Sequence, residues 1–320
     1  MKMTTSDFIL AIHDASMYLS PADFHRWALK ETRRHIDFDF AIWGGGNGHS
    51  RQLHMATVLD QVDTFFETWE SVKHNDQYAD LVIGNTGQTW SIDQLPEFRE
   101  SEAYHEHWGR YHARQMVSTM EVDTHTGLHI FVTLARDDQQ AAFSAVDIQT
   151  KNLITQHLFL ASRHNDMHYL RASQAPASFV DRRGLLHAAL PEFCAMLVNE
   201  WGRQAWQRLP ENVNQALWST GRFHSDHISL NAERFNNRLL VRAAVNPLVS
   251  LSPREEQVAR LYAAGSSHKE VAQALAISPT TVRTHLARVY QKLSVSDKGA
   301  LAMWLTENRG HLLVNNTPAD

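Results

Sequence analysis

The 320-residue chain contains a single cysteine, Cys194, which excludes an intramolecular disulfide and any multi-cysteine zinc or iron–sulfur site. Cys194 stands among apolar residues in PEFCAMLV, a setting that suits a buried thiol better than a redox switch. No stretch approaches the roughly 18 to 20 consecutive apolar residues of a membrane span. The opening MKMTTSDFIL also lacks the hydrophobic segment of a secretory signal, so a cytoplasmic protein with no membrane partner is expected. Catalytic signatures are missing too: there is no GxxxxGKS/T loop, no nucleophile elbow and no HExxH. GGGNG, at residues 44–48, lies between two strand-like runs with no helix after it, which argues against a dinucleotide site. The N-terminal third shows no receiver-like βα repeat with an acidic pocket, which argues against control by phosphorylation. No enzyme, no metal and no cofactor is expected.

What is present is the composition of a globular protein, 43% hydrophobic and 20% charged, long enough for two or three domains. The most informative stretch is Leu251 to Leu305. Ser252, Pro253 and Glu255 make a capping box with proline at the first helical position. Val258, Leu261 and Tyr262 then form an apolar stripe that closes near Gly265. Ser267 and Glu270 start a second short helix with Val271, Ala272 and Leu275 inward, and the chain turns through Ala276 and Ile277. Ser278 caps a third helix that buries Val282, Leu286, Val289 and Leu293 and turns hydroxyls and cations to other faces. A last helix from about Ser296 adds Ala300, Leu301, Trp304 and Leu305. The segment holds seven Lys/Arg against four Asp/Glu, a charge of +3, so the other residues carry −8 of the total −5. Basic charge is therefore concentrated where DNA would be met.

Through LSPREEQV, AAGSSHKEVAQALAISPTTVRTHL and VYQKLSV, this segment resembles the LuxR-type helix-turn-helix domain of bacterial transcription regulators. The resemblance implies an all-α four-helix domain, placed at residues 248–310, with the helix Pro279 to Leu293 as recognition helix. Arg283 and Thr284 would face the major groove with Arg288 close by, and Lys269, Thr280, Thr281 and Lys292 would sit at phosphates. The family often has Asn or Val where this chain has Thr284, so base preference does not carry over.

The region before it reads as α+β. Helices over Ser6–Leu19 and Pro21–His35 precede a strand, Phe38–Trp43; GGGNGHS is a turn, and Leu53–Leu59 returns as a hairpin partner. A mostly helical, aromatic-rich segment leads to strands at Met116–Val122 and Leu128–Ala135. A long helix from Ala142 to Leu170 follows, with Phe143, Val146, Thr150, Leu153, Ile154, His157, Leu158 and Ala161 on one face. The order of elements, with FVTLARDDQQAAFSAVDIQTKNLITQHLFLA, is similar to GAF-like sensory domains, placed at residues 1–172. That resemblance implies a ligand between sheet and helices, and pairing of two copies. Residues 177–245 look like a PAS-like unit: a strand at Phe179–Val180, a turn at Asp181–Gly184, a return at Leu185–Ala189, a helix at Glu192–Trp201, and a hairpin in HISLNAERFNNRLLVRAAV turning at Asn236-Asn237. Ser173–Ser178 would link the two sensory units, and Asn246-Pro247 would be the hinge before the last domain.

Trp43, Trp69, Tyr78, Asp80, Trp90, Tyr104 and Trp108 are the candidates for a ligand pocket, each with core packing as the alternative. Asp80 and Trp90 invite comparison with the acyl-homoserine-lactone receptors of the LuxR family. However, Trp69 lacks a tyrosine one turn later, no proline follows Asp80, and the gap to Trp90 is short. Among 20 histidines, His105, His107 and His112 cluster, as do His164 and His168. Neither set has a carboxylate or thiolate at metal-site spacing, and hydrogen-bonded or solvated roles fit better. The expectation is a multidomain transcription regulator. Its expected partners are a double-stranded DNA operator, a second copy of itself, a small-molecule effector and RNA polymerase. The alternatives are a regulator without ligand, a phosphorylation-driven response regulator, and an enzyme with an accessory DNA-binding tail.

Overall fold

A computed structural model describes residues 4–307 except 63, 125, 226, 236, 246–250 and 294. The elements run α1 (Thr5–Ala15), α2 (Pro21–Thr32), β1 (Phe40–Asn47), β2 (Gln52–Leu59), α3 (Phe65–Val72), α4 (Gln77–Gly84), β3 (Thr89–Ser91), β4 (Gln115–Val122), β5 (His129–Arg136) and α5 (Ala145–Ala172). They continue through β6 (Ala177–Val180), β7 (Leu186–Ala189), α6 (Pro191–Trp201), α7 (Glu211–Thr220), β8 (Arg222–His224), β9 (Ile228–Phe235) and β10 (Arg238–Val245). Four helices end the described chain: α8 (Pro253–Ala263), α9 (His268–Ala274), α10 (Pro279–Leu293) and α11 (Lys298–Glu307). The architecture is thus a mixed α/β region followed by a helical C-terminal domain.

Local chemistry sets the helix starts. Thr4 and Asp7 form a capping box at α1, Ser20 caps α2 ahead of Pro21, and Ser144 and Asp147 box the start of α5. The first sheet has the order β2-β1-β5-β4-β3 and the second β7-β6-β10-β9-β8. Numbered within its own set of five, each sheet reads two-one-five-four-three. By internal contacts the chain divides into two units, Met1–Gln174 with Ser178–Leu190 and Arg234–Leu240, and Ala175–Ala177 with Pro191–Glu233 and Val241–Asp320.

In the first unit, period-two alternation along β1 sends Ala41 and Trp43 to one face of the sheet and Phe40 and Ile42 to the other. The Ala41 face is covered by Phe8 and Ile12 of α1, Phe24 and Leu29 of α2, and Ile154 and Leu158 of α5. The Phe40 face is covered by Phe65 and Val72 of α3 and Tyr78 and Val82 of α4. Asn165 of α5 donates from Nδ2 to the carbonyls of Ser16 and Leu19, at 2.8 and 2.7 Å. It thereby satisfies carbonyls left over where α1 ends.

Three expectations are corrected. Gly44, Gly45 and Gly46 belong to strand β1, and the turn falls at residues 48–51. A Cβ at Gly44 would stand 2.3 Å from the Phe131 ring and one at Gly46 2.2 Å from the Gln52 carbonyl. These glycines permit close strand approach; they do not make the turn. The buried face of α5 is Lys151, Ile154, Thr155, Leu158, Phe159, Ala161, Asn165 and Leu170, whereas Val146 and Leu153 are 69% and 45% exposed. The edge strand β3 and the elements α7 and β8 were not foreseen, β3 and β8 being only three residues long. The Asn236 half of the expected hairpin turn, the Asn246-Pro247 hinge and both ends of residues 248–310 fall outside the described residues.

Candidate functional site

The C-terminal helices share one core of Val258, Val271, Val282, Leu286, Val289 and Leu301. Ser252 with Glu255 and Ser267 with Glu270 are full capping boxes. Ser278 Oγ accepts from the Thr281 backbone N–H at 3.1 Å, starting α10. Between α9 and α10, Ala276 takes a left-handed conformation with φ of 54°, and the Ile277 N–H returns to the Ala272 carbonyl at 2.9 Å. That tight reversal makes α9 and α10 a helix-turn-helix pair.

With Val282, Leu286, Val289 and Leu293 buried, the opposite face of α10 presents Thr280, Arg283, Thr284 and Arg288, all exposed. Among the described residues no carboxylate pairs with Arg283, Arg288 or Lys269, so these cations are available to an external anion. The other expected contacts are partly engaged within the domain. Thr281 Oγ1 lies 2.8 Å from Ser278 Oγ in the cap, and Thr284 Oγ1 donates to the Thr280 carbonyl at 3.1 Å. Lys292 Nζ donates to Glu255 Oε2 at 2.7 Å. Glu255 is only 3% exposed, and the Lys292 hydrogen bond, with that of the Ser252 backbone, holds its carboxyl down at about 2. Lys292 therefore joins α10 to α8.

The first unit holds an apolar cavity with about 650 Å³ of atom-free space, part of it open to solvent. Phe66 and Trp69 of α3, Tyr78, Val82 and Ile83 of α4, Trp108, Met120 and Phe131 form its greasy wall. Ser118, Thr133, Gln52 and His129 supply the polar points. Ser118 Oγ and Thr133 Oγ1 lie 2.7 Å apart. Burial pushes the His129 imidazole pKa down. Behind the wall sits Asp76, fully buried. Its carboxylate caps α4 through the Ala79 N–H at 2.9 Å and accepts from the indoles of Trp69 and Trp108 at 3.1 and 2.9 Å. Burial raises its pKa, and these three donors oppose that shift.

Of the seven pocket candidates, Trp69, Tyr78 and Trp108 line this cavity. Trp43 lies on the other face of the sheet, stacked on His25 with ring centroids 4.2 Å apart, and lines a second cavity with Asp166, His187 and Arg238. Asp80, Trp90 and Tyr104 do not line the apolar cavity. Asp80 pairs with Arg51, which does line it and also donates to the backbone carbonyls of Lys73 and Asp76. Trp90 contributes its carbonyl, which accepts from Tyr78 Oη at 2.8 Å, and Tyr104 packs edge-on against Phe98. Asp76 was missed. Its one sequence signal is an Asn-Asp pair ahead of a helical run, which reads as a cap. Neither histidine cluster brings three ligand atoms together among the described residues. His107 is buried against Thr68 at 2.9 Å and its pKa is pushed by burial down to about 3, while His112 faces Asp137.

Residues 249–305 match the family described as bacterial regulatory proteins, luxR family. The chain is similar to the putative HTH-type transcriptional regulator YhjB of Escherichia coli, 41% identical over 61 residues, or 19% of this chain and 30% of that protein. It is also similar to the HTH-type transcriptional regulator MalT of Serratia proteamaculans, 34% identical over 95 residues, or 29% of this chain and 10% of the other. The chain thus spans less than a third of either relative. Among solved structures, Escherichia coli SdiA aligns over 95% of this chain and 97% of its own at 13% identity and a TM-score of 0.37. The N-acylhomoserine lactone dependent LuxR family transcription factor CepR2 of Burkholderia cenocepacia aligns over 49% and 92% at 13% identity and a TM-score of 0.40. The helix-turn-helix geometry and the matched residues together make the C-terminal segment of this chain a LuxR-family DNA-binding domain.

Proposed function

We propose that the chain is a sequence-specific transcription regulator that binds a two-half-site operator as a homodimer and is controlled by a small molecule. The observation that carries the reading is α10, which turns Arg283 and Arg288 outward without internal carboxylate partners. Arg283 and Thr284 read base edges with Arg288 close by, and Lys269, Thr280 and Thr281 hold phosphates. Lys292 reaches a phosphate only in competition with Glu255. The domains are residues 1–172 as a GAF-like sensor, 177–245 as a PAS-like unit and 248–310 as the DNA-binding domain. The two sheets with one strand order support reading both sensory segments as related folds.

The effector occupies the apolar cavity, with a hydrocarbon body against Trp69, Val82 and Phe131 and a polar head toward Ser118, Thr133 and His129. A second copy docks on α5, where Val146, Leu153 and Leu160, at heptad spacing, are 69%, 45% and 37% exposed. The effector acts by its different affinity for the two arrangements of the dimer. Selection of duplexes from a random pool by the full chain tests the reading: a palindromic consensus is expected, and an unenriched pool contradicts it. Mass spectrometry of small molecules released from the purified protein tests the effector, whose signal is expected to vanish in Val82→Trp.

A further inference from the structure

Three side chains far apart in sequence meet in the first unit: His54 on β2, Asp181 in the turn after β6, and His187 on β7. Their side chains are 4%, 3% and 6% exposed. His54 Nδ1 lies 2.5 Å and His187 Nε2 3.1 Å from the same oxygen, Asp181 Oδ2, and all three donor atoms fall within 4.8 Å of one another. Neighbouring ligands of a tetrahedral ion with bonds of about 2.0 Å stand roughly 3.3 Å apart. The other carboxylate oxygen, Oδ1, accepts from the backbone N–H groups of Arg183 and Leu185 at 2.8 and 3.0 Å. This is the anchoring that orients a ligating carboxylate. Arg238, beside His187, is held by Asp166 in a two-point pair at 3.0 and 3.2 Å, so a carboxylate partner offsets the nearest guanidinium charge. His187 borders the second cavity, which gives an ion and a completing water a way in.

We propose that His54, Asp181 and His187 bind one divalent transition-metal ion of the zinc class. Two imidazoles and one carboxylate suit zinc, cobalt and nickel and are poor ligands for calcium or magnesium. His54 adjoins Gln52 and Leu53, which line the apolar cavity, so the ion braces a strand of that cavity's wall. No local spacing announces the site, because His54 and Asp181 are 127 residues apart.

The test uses the full chain, stripped with a chelator and titrated with zinc alone against a chromogenic competitor. One zinc per chain is expected, with uptake weakened about 100-fold or more in His187→Ala and Asp181→Asn and unchanged in the control His105→Ala. Cobalt bound to the unaltered chain is expected to give the intense visible absorption of a four-coordinate site, a readout independent of how well the variants fold. Failure of the unaltered chain to take up zinc, equal uptake by folded variants, or the weak spectrum of six-coordinate cobalt would each overturn the proposal.

Discussion

Asp76 shows how much rests on one side chain. Its carboxylate is the acceptor for two buried indoles and the cap of α4, so it fixes the ring planes of Trp69 and Trp108 in the cavity wall. Asp76→Ala leaves both indole N–H groups without an acceptor and is expected to cost about 2 to 6 kcal/mol, at 1 to 3 for each orphaned donor. Asp76→Asn, which keeps one acceptor oxygen, costs less. Urea unfolding followed by tryptophan fluorescence measures both. Lys292 and Arg283, both cations on α10, are expected to separate on melting. Lys292→Ala strands the buried Glu255 carboxylate and lowers the domain's stability by about 1 to 2 kcal/mol, whereas Arg283→Ala, which removes an unpaired exposed side chain, leaves the melting temperature unchanged. The Glu255 pKa is depressed, so its contribution is complete above the ordinary 4.5 and is lost as pH falls toward about 2. Lys292→Ala should flatten that acid limb.

At the scale of elements, α5 has two faces with different tasks. The inner one covers the sheet and even buries Lys151, whose ammonium donates to Thr119 Oγ1 and the Val132 carbonyl at 2.6 and 2.9 Å. The outer one repeats an exposed aliphatic residue every seventh position, at Val146, Leu153 and Leu160. On the proposed pairing through this face, replacing Leu153 and Leu160 by Glu is expected to raise the dimer dissociation constant at least about 10-fold by placing charges in an apolar seam. Light scattering across a concentration series reads it. The helix was legible here from apolar residues at helical spacing, but its capping box, Ser144 with Asp147, starts it at Ala145 and not at the expected Ala142. The buried face was less legible: both faces carry aliphatic residues, and Lys151 and Asn165 turn inward to satisfy backbone and hydroxyl groups that only the tertiary fold supplies. The same limit explains the glycines of β1, whose crowding by Phe131 and Gln52 is set by distant strands. In the C-terminal domain the helix starts and the main buried positions Val258, Val271, Val282, Leu286, Val289 and Leu301 are encoded locally and match the sequence reading, whereas Leu261, Tyr262, Leu275 and Trp304 are only partly buried.

For the whole molecule, charge and buried histidines set the response to solution conditions. His25 and His107 are buried, and burial depresses their pKa values to about 4 and about 3. In the unfolded chain each titrates near 6.5, so between that value and the folded one the unfolded state binds more protons and stability falls with falling pH. By pH 5 the loss is on the order of 2 kcal/mol per histidine. Thermal melts from pH 7.5 to 5 should show it, with the slope reduced in His107→Gln. The charge of +3 on Leu251–Leu305 against −8 elsewhere implies weak, salt-sensitive attraction to bulk DNA, with the acidic remainder of the chain repelling the duplex. On the proposed function, specificity comes from α10. The most direct measurement is fluorescence anisotropy of the full chain on its selected duplex and on a scrambled one at fixed salt, for the unaltered protein and Arg283→Ala. The expected result is a loss of about 1 to 3 kcal/mol on the selected duplex alone, with scrambled binding nearly unchanged. Equal affinity of the two proteins for the selected duplex would contradict the assignment of α10 as the element that reads DNA.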